Sequence, residues 1–439
     1  MGLDSYKAFV IKERLNLSPA DTGIIASGGV VGFLVAFVGF ALITRLRGRS
    51  NPIPLSRNLV ALGLFTGGLG FLLFWGGLEI KSSIFSFFAL ILFVGGFTLL
   101  FLSILPFIFL TEREDYLSFW VIFILGFATL GRFFAYPMVF FSNLGTGGES
   151  FSSFSIALLV AGIIIFICLA IFIKNTPSAS IKKLSFKSPP TPKIGSFKVL
   201  LLSLGGLILT NLAEDLNFLS IENISISKYS SVSAYQPSLY VGLMGGGLLA
   251  SRFITAVKMA PINETIKFLF IILISLAIFL FTITFTPYME MDFYNSFLVF
   301  GANFFIFVLS IILASGQLSH VMMVICAIGL VHVAAILLTY KSAFYIIMVS
   351  TAGLYRGILY PAFIVMAFQN FRGQMFSLSL LIGIASFSRF IPQLLHWSFP
   401  GAVNSSILFL IVQLLLMIYC FATAYFVYKE AKKVKQNFT

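Results

Sequence analysis

The sequence predicts an all-α polytopic membrane protein of about thirteen transmembrane helices, in two pseudo-repeated halves with an extra helical hairpin. Three observations predict it. First, the 439 residues are 59% hydrophobic and 10% charged, with a mean hydropathy of +1.04. A soluble surface of that size needs far more charge. Second, apolar stretches recur at the length a helix needs to cross a bilayer, about 20 residues. Third, two distant stretches carry an arginine inside an apolar run in nearly the same words: GFATLGRF at 126–133 and GIASFSRF at 383–390.

The expected spans are roughly 21–44, 59–79, 84–110, 117–142 and 152–173 in the N-terminal half, 1–173. A hairpin of two, 199–221 and 236–257, follows within 199–257. Six more, 268–286, 293–314, 319–339, 343–368, 375–397 and 404–428, make the C-terminal half, 268–428. Internal Gly and Pro do not break such helices, because neighbours re-satisfy the backbone in a membrane.

The connectors set the orientation. With the N-terminus outside, 19 of the 28 Lys and Arg fall at inside connectors, Arg252 among them, and six fall outside. The remaining three, Arg132, Arg356 and Arg389, lie deep within spans, roughly 14 to 16 residues from a span end. Excess Lys and Arg mark the cytoplasmic side, so the C-terminus is expected inside, on the cytoplasmic or matrix face. The membrane expected is an inner or plasma membrane, with an organellar one as the alternative. The 174–198 connector, KNTPSASIKKLSFKSPPTPKIGSFK, reads as a basic cytoplasmic linker suited to anionic lipid headgroups. The 429–439 segment reads as a basic cytoplasmic tail. The +13 net charge is thereby a topological signal, not one for nucleic acid.

The repeat extends beyond the arginines. GFTLLFLSILPF from Gly96 and GLYRGILYPAF from Gly353 share an opening Gly, again at an offset of 257, and a Pro near the cytoplasmic end. RNLVALGLF from Arg57 lies against SHVMMVICAIGL from Ser319 at an offset near 262. Duplicated halves are common among transporters.

An arginine at bilayer depth is costly and faces a cavity or a partner. Its rigid fork suits a carboxylate or phosphate. Arg356, beside Tyr355 and Tyr360, with Arg132 and Arg389, are therefore candidate contacts for an anionic solute. The competing expectation for Arg132 and Arg389 is that each pins its helix by bonding backbone carbonyls or an acid. Glu214 and Asp215, with Asn211 and Asn217 in LTNLAEDLNFL, form a second polar cluster. A carboxylate at that depth can carry a proton, so Glu214 and Asp215 are proton-coupling candidates. His332, alone on an apolar span, is a third. His396 and Trp397 suit an interfacial belt. Cys168, Cys326 and Cys420 sit in apolar runs and imply neither disulfide nor metal. No nucleotide-binding, zinc-protease or catalytic-triad pattern occupies the short loops, so an enzyme is not expected, nor a metal or cofactor.

LNLSPADTGIIASGGVVGFLVAFVGFALITRLRGRS, at 15–50, resembles the second helix and cytoplasmic loop of the major facilitator superfamily. GLYRGILYPAFIVMAFQNFRGQMFSLSLLIGIASFSR, at 353–389, resembles its tenth and eleventh helices with their Arg-Gly loop. The resemblance implies a secondary active transporter of a small solute, working by alternating access with or without proton coupling; the buried arginines make that solute an anionic one. It places Arg356 on a cavity-lining helix, and Arg132 and Arg389 on helices at the interface between halves. Two departures stand out. The loop ITRLRGRSNPIPLSR lacks the family's Asp, and residues 1–18, where the repeat places a first helix, are polar. The extra pair at 199–257 is similar to the layout of the fourteen-helix branch. Pairing VGLMGGGLLASRFITAVK, at 241–258, with the second helix would move the insertion later.

A second resemblance points elsewhere. Residues 200–229 and 312–330 also resemble antiporter-like subunits of respiratory complex I. That implies a non-transporting or proton-translocating subunit, with partner subunits. The absence of any Lys within the thirteen spans speaks against a proton channel of that type.

Overall fold

The computed structural model describes residues 19–48, 52–144, 151–176, 196–229, 236–284, 293–340, 344–370, 374–388, 391 and 406–436. All its regular structure is helical, with no strand among the described residues. The helices are α1 Pro19–Arg47, α2 Pro52–Glu79, α3 Ser83–Thr111, α4 Glu114–Leu144, α5 Phe151–Asn175, α6 Ser196–Tyr229, α7 Gln236–Met259 and α8 Glu264–Ile283. Then follow α9 Phe293–Leu313, α10 Leu318–Leu338, α11 Tyr345–Thr351, α12 Gly353–Arg356, α13 Leu359–Asn370, α14 Met375–Phe387 and α15 Ser406–Gln436.

Each of the thirteen expected spans contains helix. Ten described helical stretches are long and apolar enough to cross a membrane, and Asp115–Leu130, Leu159–Asn175 and Met375–Phe387 are shorter apolar helices. The chain is an all-α, multi-pass membrane protein. Residues 1–18, most of the basic linker, Arg389, His396 and Trp397 lie outside the described residues.

Local chemistry sets the turns. The α2–α3 hairpin closes on a Schellman pattern: Ser82 N–H reaches the Gly77 carbonyl at 2.9 Å and Lys81 N–H that of Leu78 at 3.3 Å. Lys81 occupies the left-handed C′ position at φ 53°. Ser82 then caps α3, its hydroxyl accepting from Phe85 N–H. Along the spans, hydroxyls turn back on their own helix: Thr44 to Phe40, Ser103 to Leu99, Ser203 to Val199, Thr210 to Gly206. In a medium without water this satisfies the donor at once.

The chain divides into two compact units. The first holds α1, α2, α3 and α5, with the start of α14 as far as Gly383. In it α2 and α3 approach backbone to backbone where Gly67 meets Gly96. Phe40, Leu59, Leu99 and Leu102 form its core, with Phe376 packed against them. The second unit holds α4 through Phe141, α6 to α13, the end of α14 and α15. Its centre is α7 and the α11–α13 crossing: the Leu239–Met259 and Tyr345–Gln369 windows are each 94% buried, against 22% for Glu264–Ile283. The 199–257 pair thus belongs to the second unit, and Asn211, Glu214, Asp215, Asn217 and Arg252 on it are buried.

Candidate functional site

One expected span, 343–368, is built as three short helices rather than one. Its hydrogen bonds reach back three residues instead of four at the joints: Ala352 N–H bonds the Val349 carbonyl at 3.3 Å and Tyr355 N–H that of Ala352 at 3.2 Å. The interrupted crossing packs on α7 through small residues. A Cβ built on Gly357 would lie 2.6 Å from Ser251 Cβ, and one on Gly247 would lie 2.9 Å from Leu354 N. Gly353 and Gly357 on one element, Gly247 and Ser251 on the other, allow the close approach. Beside those small residues stand two arginines, Arg252 and Arg356, both buried.

Arg252 is a hub. Its Nε donates to the Gly357 carbonyl and its Nη1 to the Leu125 carbonyl, each at 2.9 Å. Nη1 also bonds the Thr129 hydroxyl, and Nη2 lies 3.9 Å from Glu214 Oε2. It joins α4, α6 and α7 to the break after α12. The charge split read from the sequence set Arg252 among the connector residues. That placement is corrected here: it sits in the interior, because Gly247 and Ser251 bring backbone, and hence acceptors, within its reach.

Arg356 is 2% exposed. Its Nη1 donates to the Ala213 carbonyl at 3.1 Å, and the Phe409 ring lies 6.0 Å from its Cζ. Its Nε and Nη2 are buried without a hydrogen-bond partner. Those two N–H groups form one edge of the guanidinium, the edge that grips a carboxylate with two parallel bonds. The charge of Glu214 acts on Arg356 without a direct ion pair between them.

The other sequence candidates fall around these two. Tyr355 donates to Asn303 Oδ1 at 3.0 Å, and its ring lies 4.8 Å from that of His332. His332 Nε2 is 2.9 Å from Thr351 Oγ1. That hydroxyl already donates to the Met348 carbonyl at 2.9 Å, so it accepts from Nε2–H. Tyr360 turns elsewhere, to the Ser386 hydroxyl at 2.8 Å. On α6, Asn211, Glu214, Asp215 and Asn217 are all buried. Asn211 donates to the Ala385 carbonyl at 3.4 Å, and Asn217 Nδ2 contacts Met244 Sδ at 2.7 Å.

The structure therefore brings Arg356, Tyr355, His332 and Glu214 into one interior and sends Tyr360 to α14. Arg132 lies on α4, its side chain outside the described residues, and Arg389 is outside them altogether. Thr129 and Ser386, at matched places in the repeated stretches, each bond a buried polar side chain, Arg252 and Tyr360.

Sequence reasoning missed Arg252, Asn303 and Gln413. Gln413 is 1% exposed and donates from Nε2 to the Ala213 carbonyl at 3.1 Å. Its signal was a single amide within the apolar run FLIVQLLLMIYCF. No metal-holding group of His, Cys, Asp and Glu occurs among the described residues.

No protein-family model matches the chain, and no curated protein matches it. Solved structures do. An auto-inhibited peptide transporter of the POT family is 14% identical over 98% of this chain and 94% of that one, at a TM-score of 0.37, too loose to argue from. FucP, a major facilitator superfamily transporter solved in the outward conformation, is 12% identical over 97% of this chain and 95% of that one, at a TM-score of 0.56. The comparisons lend no support to the complex I resemblance. At that identity the likeness is one of architecture: this chain is similar in fold to FucP along nearly its whole length.

Proposed function

We propose that the protein is a secondary active transporter of a small anionic solute, working by alternating access, with Arg356 as the anion contact. One observation carries the reading. A fully buried guanidinium in the interior of a transporter-like fold keeps its Nε and Nη2 edge without a partner. An anion at bilayer depth needs a compensating charge, and a guanidinium placed in advance supplies it. Tyr355 stands next to it in the chain, held by Asn303 and packed on His332. Glu214, paired with Arg252, together with Asp215 and His332, are the groups through which a proton would couple to the solute. The two halves, 1–173 and 268–428, descend from one repeat. The basic linker lies on the cytoplasmic side, on anionic lipid.

The test is reconstitution in proteoliposomes with labelled acids, sugars and amines of similar size. Uptake of acids alone, lost in Arg356→Lys with elution and unfolding midpoint kept, is the expected result. Lys retains the charge but not the fork. Uptake of sugars or amines, or an Arg356→Lys variant that transports acids normally, overturns the anion reading. An inward proton gradient that leaves uptake unchanged removes the coupling. Purification as a fixed part of a larger assembly that shows no uptake replaces the transporter reading with that of a subunit.

A further inference from the structure

Arg356 Nη1 and Gln413 Nε2 donate to the same acceptor, the Ala213 carbonyl oxygen, each at 3.1 Å. The two side chains therefore lie within two hydrogen-bond lengths of each other. A carbonyl oxygen only accepts, so it fixes the amide: Nε2 faces Ala213 and Oε1 faces away. Gln413 Oε1 is buried and has no partner. Phe409, one turn before Gln413 on α15, stands by the Arg356 guanidinium. One face of α15 thus presents both residues to Arg356.

Two unmet needs lie on side chains that share one acceptor, and they are opposite in kind. Arg356 Nε and Nη2 are donors and call for an acceptor pair. Gln413 Oε1 is an acceptor and calls for a donor. A buried polar atom left unpaired costs about 1–3 kcal/mol, so a ligand that meets both is favoured over one that meets either.

We infer that Gln413 is a specificity-determining residue of this site, and that its ligand is a carboxylate with a hydrogen-bond donor, hydroxyl or ammonium, on the adjacent carbon. The inference rests on the anion reading of Arg356 and adds the second recognition group. The carboxylate takes the Nε and Nη2 edge of Arg356. The neighbouring donor reaches Gln413 Oε1. A plain carboxylate leaves that oxygen unpaired, and a neutral analogue leaves the fork unpaired.

The experiment uses the full chain in lipid nanodiscs and four small probes: propanoate, lactate, alanine and lactamide. Binding is read by titration calorimetry. Lactate or alanine is expected to bind at least about 10-fold more tightly than propanoate, the size of one satisfied buried acceptor. Comparing lactate with alanine separates hydroxyl from ammonium. Lactamide is expected not to bind. In Gln413→Leu the preference over propanoate falls to about one. In Gln413→Glu the new carboxylate takes the Arg356 edge, and propanoate, lactate and alanine all lose affinity. The unfolding midpoint of each variant shows whether it is folded, and the Glu variant serves if the Leu variant is not. Propanoate binding as tightly as lactate and alanine overturns the role of Gln413 and leaves the anion reading standing. A preference unchanged in Gln413→Leu does the same. Acids that do not bind at all, or bind Arg356→Lys as well as the parent, overturn the anion reading itself.

Discussion

Arg252 donates from Nε to the carbonyl oxygen of Gly357 at 2.9 Å, so the residue that follows Arg356 in the chain is held by the second buried arginine. The same side chain lies 3.9 Å from Glu214. Arg252 therefore holds the backbone beside Arg356 and pairs with the buried Glu214.

Arg252→Leu is expected to be among the most damaging single changes in the second unit. It removes a partner of Glu214, whose side chain is 6% exposed, and the donors to Gly357, Leu125 and Thr129. Breaking one side of a buried pair costs about 3–5 kcal/mol. Thermal unfolding in detergent measures it. Adding Glu214→Leu should recover part of the loss, since the acid that faced Arg252 is then removed with it. A variant as stable as the parent would show that the hub is idle.

Gly357→Ala tests the close approach. The new methyl would meet Ser251 Cβ at 2.6 Å and the Leu248 carbonyl at 2.8 Å, and backbone cannot step aside cheaply. A loss of about 1–3 kcal/mol is expected. Gly39, with nothing within 4 Å of its added Cβ, is the control. Its Ala variant should be as stable as the parent or more so. Equal behaviour of the two would mean that the α7 crossing is not built on its glycines.

The matched arginines are predicted to differ from Arg356 in what fails first. Arg132→Lys and Arg389→Lys should lower the unfolding midpoint, because each is expected to hold its helix through backbone carbonyls or an acid. Transport, scaled to folded protein, should fall less than in Arg356→Lys. If Arg132→Lys folds well and is inactive while Arg356→Lys transports, the roles are reversed.

Orientation is tested by labelling. In a background lacking Cys168, Cys326 and Cys420, a membrane-impermeant maleimide added from outside should react at Gly147→Cys and not at Ser185→Cys. The opposite pattern would invert the topology.

By itself the sequence determined the class and the helices. Hydropathy is a local sum, so the length and placement of each apolar run could be read without knowing any neighbour. That is why all thirteen expected spans hold helix, and why Arg356, Glu214, Asp215 and His332 stood out as costly residues at depth. Partners could not be read in the same way. Hydropathy gives depth along a helix and not the direction a side chain faces, so Tyr355 and Tyr360 looked alike and part company in the fold. Arg252, six residues from the nearest lysine, Lys258, read as a span-end charge. Only its acceptors, up to 127 residues away, make it internal. Gln413 passed as one amide among leucines until the Ala213 carbonyl, 200 residues earlier, joined it to Arg356. Composition sets which groups must be satisfied; only packing of distant helices decides which group satisfies them.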